Sequence, residues 1–157
     1  MKNKKIKILH IISGDMWAGA EVQVYNTLSS LDSIQDIEIY CVLFNDGQLR
    51  SNLSKIGIEV YIIDEAKNNS IIMLKRLRDV IIKLKPHIIH VHAVKEHFLG
   101  YLSLVLFSND IKIVRTIHGM TEVSSNIPLS QKIRSNIVVL LDKLLIHRYT
   151  DVIIAVS

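Results

Sequence analysis

Short apolar runs alternate along the whole chain with stretches whose apolar residues recur every three or four positions. Lys7–Ile12 (KILHII) is such a run, ending at Ser13-Gly14, and predicts a first strand. Ala20, Val24, Leu28 and Leu31 follow at helical spacing, so a helix begins near Gly19 and buries that stripe. Ile37–Phe44 predicts a second strand, closed by the Asn45-Asp46-Gly47 turn signal. A short helix over Leu49–Ile56 stops at Gly57, a suitable left-handed terminus. Ile58–Ile63 predicts a third strand. Leu74, Leu77, Ile81 and Leu84 mark the next helix, which Pro86 closes. Ile88–His92, Lys112–Ile117 and Asp151–Val156 complete six strands, with helices over Phe98–Phe107 and Ile133–Arg148 between them. Regular strand–helix alternation calls for an α/β, Rossmann-like three-layer sandwich around a mainly parallel sheet, with a doubly wound order.

Composition supports one such unit. The chain has 157 residues, 49% of them hydrophobic and 22% charged, with only 6 Gly and 2 Pro. That excludes a disordered or loop-rich chain and suits a single domain over residues 1–157. One cysteine, Cys41, excludes an intrachain disulfide and fits a reducing compartment; its apolar run makes it a small buried hydrophobe. The net charge of +4 has no long Lys/Arg block, so no nucleic-acid arm is expected. Its basic excess leaves open a solvated surface or attraction to phosphates and an anionic membrane face. Neither a signal peptide nor a membrane span is legible, and the expected location is cytoplasmic, with membrane association at the inner face as a side expectation.

In an open doubly wound sheet, ligands gather outside the carboxyl ends of the strands. The loops of interest are therefore Ser13–Gly19, Asn45–Gln48, Ala93–His97 and His118–Ser130. Gly14 and Gly19 have the spacing of a phosphate loop, but Ala20-Glu21 stands where a nucleotide-hydrolysing loop needs Lys and Ser/Thr. Two readings remain for Gly19: an anion approach at a helix N-terminus, or a turn glycine with Glu21 complementing the helix dipole. His90 and His92 share one strand face. They can pack in the sheet and face the cleft, respectively, or seed a zinc site if His97 and His118 converge on them; no metal is the expectation. Arg115, inside an apolar strand, needs a carboxylate partner or a path to water. His118, at a strand end beside Gly119, can donate to a hydroxyl or phosphate oxygen. Trp17 either stacks on a sugar or lipid or covers the sheet edge.

Four stretches in order, KILHIISGDMWAGAE, KPHIIHVHA, IKIVRTIHGM and DVIIAVS, resemble the N-terminal domain of family 4 glycosyltransferases. The resemblance implies one half of a GT-B fold, with a C-terminal nucleotide-binding domain absent from this chain. It implies a retaining transferase moving a sugar from a nucleotide-sugar to a glycan or lipid-linked acceptor, without a metal or other cofactor. The paired glutamates that hold the nucleotide in the family belong to the C-terminal half, so these residues alone are expected to be inactive. By the same resemblance His118 is catalytic, facing the donor sugar and pyrophosphate. Gly19, with Gly14, lets backbone amides approach the donor phosphates, and His92 and Lys95 lie near the acceptor, the side on which Trp17 is also expected. Ala18 departs from the family's paired glycines and places a methyl where a phosphate would approach. A non-catalytic ligand- or partner-binding module is the alternative reading, and a metal hydrolase built on His90 and His92 is a third.

Overall fold

The computed structural model describes residues 5–105, 110–118 and 129–156. Its strands are β1 (Ile6–Ile12), β2 (Ile37–Leu43), β3 (Glu59–Ile62), β4 (Ile88–Val91), β5 (Lys112–His118) and β6 (Val152–Val156). The helices are α1 (Gly19–Asp32), α2 (Gln48–Lys55), α3 (Ser70–Leu84), α4 (Val94–Leu104) and α5 (Leu129–Tyr149). All pairings between these strands are parallel, in the order β3-β2-β1-β4-β5-β6. The chain thus winds outward from β1 to one side and from β4 to the other. The switch in direction falls between these two central strands, where Ile8 pairs with Ile88 and His10 with His90.

Period two along each strand divides the core into two layers. Leu9, Ile11, Val42, Phe44, Ile89, Val91 and Ile113 face α3 and α4 and pack on Met73, Leu77, Ile81 and Leu99. Ile12, Ile39, Cys41 and Leu43 face the other way, against Val24 and Leu28 of α1 and Leu49 and Leu53 of α2. Each fully buried leucine or phenylalanine contributes about 1.5–3 kcal/mol, so these two layers dominate the stability. Cys41 is fully buried and burial raises its thiol pKa, which keeps it an inert part of the core.

The punctuation follows local chemistry. Gly57 ends α2 at φ 85°. Asn69 caps α3 through a bond from Ile72 N at 3.0 Å. Lys85 closes it in the left-handed region, its N–H reaching Ile81 O at 2.8 Å before Pro86.

Two expectations change. The helix expected over Phe98–Phe107 begins at Val94, four residues earlier; Phe107 lies outside the described residues. Ala93, in extended conformation, is its N-cap, and nothing in VKEHF opposes helix. Ala93–His97 is therefore mostly the first turn of α4, not a loop. His97 turns into the core, fully buried, instead of converging with His118.

Arg115 finds the carboxylate its strand position demands. Its Nη1 donates to Asp142 Oδ1 at 2.8 Å and to Ala93 O at 3.3 Å, and lies 3.0 Å from His97 Nδ1. His97 Nε2 meets Thr150 Oγ1 at 3.0 Å. This buried network ties β5, α4 and α5 together on the face away from α1.

Candidate functional site

The α1 face of the central strands carries the polar surprise. His10 of β1, His90 of β4, His92 just beyond β4, and Thr116 and His118 of β5 lie side by side there. His10 Nδ1 is 3.2 Å from His92 Nε2, and His92 Nδ1 is 3.2 Å from His118 Nε2. His90 Nε2 is 2.7 Å from Thr116 Oγ1. The rings stack, with centroids 4.5 Å apart for His90–His92 and 5.6 Å for His10–His92. His90, His92, Thr116 and His118 line a small open cavity of about 80 Å³ with Gln23, Val24 and Thr27 of α1 and Ile154 of β6. It lies at the carboxyl ends of the central strands, where the doubly wound order places ligands. A wider depression at the opposite edge is lined by Lys5, Asp32, Glu38 and Glu59; no strand carboxyl end or imidazole contributes to it.

Burial keeps these rings neutral. Burial, then the neighbouring imidazoles, holds His10 and His92 well below the ordinary histidine value. Burial also pushes His90 down to about 4. His118, at the cavity mouth, is lowered by burial, while the Glu21 carboxylate on α1 pulls the other way. Neutral imidazoles offer one donor and one acceptor each, suited to hydroxyls and phosphate oxygens.

Ligand atoms of His10, His90 and His92 lie within 4.8 Å of one another, a spacing open to a metal ion. Two of these nitrogens, His10 Nδ1 and His92 Nε2, face each other at 3.2 Å, and His90 Nε2 faces Thr116 Oγ1 at 2.7 Å. A metal bound to imidazole sits in the ring plane about 2 Å from nitrogen. His90 and His92 stack, with planes 25° apart.

The other expected residues lie around this centre. Gly14 adopts φ 79°, and a Cβ there would meet Leu43 Cδ2 at 3.2 Å, so it shapes the loop. Gly19 begins α1 with open space where a Cβ would be, and Ala18 before it supplies no side-chain cap. The first-turn N–H groups of α1 thus have no side-chain cap. Trp17 packs edge-to-face on Tyr25 of α1, centroids 5.9 Å apart, and stays partly exposed. Lys95 stands apart from His92, at the rim of the opposite face. It pairs with Glu65 and its Nζ lies 5.4 Å from the Phe44 ring centroid. Asn45 bridges Glu65 Oε1 at 2.6 Å and Ser13 Oγ at 3.0 Å, stitching together the loops after β1, β2 and β3. Gly119 and the rest of the expected loop up to Pro128 lie outside the described residues.

Sequence reasoning missed His10, Thr116 and the α1 lining. His10 carried a usable signal. It shares strand parity with Ile8 and Ile12, and the doubly wound order sets β1 beside β4, hence His10 beside His90 and His92.

The chain is thus a Rossmann-like α/β domain with an imidazole-lined crevice at its switch point. The sequence matches the family model described as Glycosyltransferase Family 4 over residues 17–157, and the chain belongs to that family. No curated protein matches it. Among solved structures, HepE of Anabaena in complex with UDP superposes with TM-score 0.70 at 16% identity, over 94% of this chain and 37% of that one. MurG of Acinetobacter baumannii gives 0.59 at 13% identity, over 96% and 41%. A UDP-N-acetylglucosamine 2-epimerase gives 0.61 at 17% identity, over 97% and 42%. These likenesses establish the Rossmann-like fold of one half of a GT-B-type molecule. The chain spans about two fifths of the length of each of these structures.

Proposed function

We propose that this chain is the acceptor-side, N-terminal domain of a retaining glycosyltransferase, which moves a sugar from a nucleotide-sugar to a glycan or lipid-linked acceptor without a metal. The observation that carries this reading is the neutral His118 at the mouth of the switch-point cavity, in a chain of this family. His118 donates to the donor sugar or its pyrophosphate. The N-terminus of α1 at Gly19 presents backbone N–H groups to the phosphates, and fixed donors of this kind stabilise charge as the leaving group departs. Glu21, at the first turn, helps orient His118 through its charge. The nucleotide is held by a further domain that closes over this crevice. The neighbour crystallised with UDP, and the family itself, support a nucleotide-sugar as the donor.

A peripheral contact with the inner face of a membrane belongs to the same reading. Ile71, Ile72, Lys75 and Arg76 are all exposed on the first turns of α3, pairing apolar and basic groups as interfacial helices do. Among the described residues no helix is long and apolar enough to cross a membrane.

His118→Ala in the full-length protein is expected to lower kcat/KM for sugar transfer by roughly 100-fold or more, the loss typical of a removed transition-state donor. Transfer near the wild-type rate would remove His118 from the reaction. Nucleotide-sugar binding without any transfer by the full-length wild type would favour a binding module instead.

A further inference from the structure

His10 lies at the centre of β1, wholly buried, and does not line the cavity. An imidazole here costs desolvation that leucine would not. Its one described hydrogen-bond partner is His92, and His92 leads on to His118. We propose that His10 and His92 are positioning residues, forming a directional hydrogen-bonded chain that holds His118 as the Nδ1–H tautomer, a donor toward the cavity. The proposal rests on the reading of His118 given above for its catalytic consequence, but the direction of the chain does not.

The direction follows from proton counting. Each neutral ring carries one N–H. His10 Nε2 is buried without a hydrogen-bond partner. A proton there would be an orphaned buried donor, a rarer and costlier fault than a bare lone pair. The proton therefore sits on Nδ1 and donates to His92 Nε2 at 3.2 Å. His92, accepting at Nε2, carries its own proton on Nδ1 and donates to His118 Nε2 at 3.2 Å. His118 then carries its proton on Nδ1, with no described residue as partner.

Other groups around the chain do not reverse it. His90 stacks on His92 but spends its Nε2 on Thr116, whose hydroxyl donates or accepts equally well. Glu21 is the α1 carboxylate whose charge acts on His118, and it favours the protonated ring without selecting a tautomer. The opposite polarity would turn a lone pair toward a phosphate or hydroxyl oxygen and forfeit the donor.

Two substitutions of His10 separate this from a packing role. His10→Leu removes the donor and suits the apolar interior. His10→Asn places an amide N–H close to where Nδ1 stands, but buries more unsatisfied polarity. In the full-length protein, His10→Leu is expected to be as stable as wild type. It should nevertheless lose roughly 10- to 100-fold in kcat/KM, the range that outer hydrogen-bonding partners command elsewhere. His10→Asn, although less stable, should recover most of that activity. In histidine-labelled protein, the ¹⁵N spectrum should show His118 Nδ1 as the protonated nitrogen in wild type and His10→Asn. In His10→Leu it should shift toward the Nε2–H form.

An Nε2–H tautomer at His118 in the wild type would overturn the proposal, whatever the enzyme transfers. So would a His10→Leu protein with unchanged tautomer and unchanged kcat/KM. If His118→Ala leaves transfer intact, the catalytic reading fails while the spectrum still decides the chain's direction.

Discussion

Burying several neutral imidazoles in one domain makes stability depend on pH in a definite direction. His10, His90, His92, His97 and His118 all have folded pKa values lowered by burial from the ordinary 6.5. Below pH 6.5 the unfolded chain therefore binds more protons than the folded one, so stability is full above that value and falls as pH falls. For His90 alone, held at about 4, the loss by that pH is roughly 3 kcal/mol. Urea midpoints measured at steps from pH 7.5 to 4.5 should drop continuously below pH 6.5, and less steeply in His10→Leu. A flat profile over that interval would mean that the rings are not held neutral.

Loops and helix starts at the carboxyl edge divide into those shaped by packing and those left open. Gly47, at the start of α2, meets the loop after β1 so closely that an added Cβ would lie 2.4 Å from Gly14 O. Gly14 itself is committed to a left-handed conformation and cannot easily give way. Gly47→Ala is therefore expected to cost about 1–3 kcal/mol in chemical denaturation. Gly19→Ala has room for its methyl and sits at a helix start, so stability should change by less than about 1 kcal/mol. Nucleotide-sugar affinity, measured by calorimetry on the full-length protein, should fall for Gly19→Ala, because the methyl occupies the approach to the helix N-terminus. Unchanged affinity would detach that terminus from the donor.

The sheet as a unit is covered unevenly. Parallel sheets are normally buried on both faces. Here β6 is an edge strand whose Val152, Ile153 and Ile154 are 41–50% exposed, and Val139, Leu140 and Leu144 of α5 are exposed as well. Such a surface, larger than scattered single residues, invites association. A protein of these 157 residues alone should bind a hydrophobic dye and self-associate at micromolar concentration while keeping its helical circular dichroism. Exchanging Ile153 and Ile154 together for Thr should reduce both effects. A monomeric, dye-free wild type would show that this face needs no cover.

Strands, helices and their stops were legible along the chain because each depends on neighbours within a few residues. The two-residue period of IIHVH places His90 and His92 on one face, Gly57 and Pro86 end helices, and Arg115 in an apolar strand demands a carboxylate. Even so, local rules placed the start of α4 too late, since Ala93 gives no sequence signal as a cap. The imidazole chain was not legible in the same way. His10 and His92 are 82 residues apart, and they meet because β1 and β4 lie side by side. Periodicity reports which face of a strand a side chain takes; which strands adjoin is decided by the packing of the entire sheet. That is also why Lys95, close to His92 in the chain, ends on the opposite rim with Glu65. A helix that starts right after β4 turns its first residues toward the other layer of the fold.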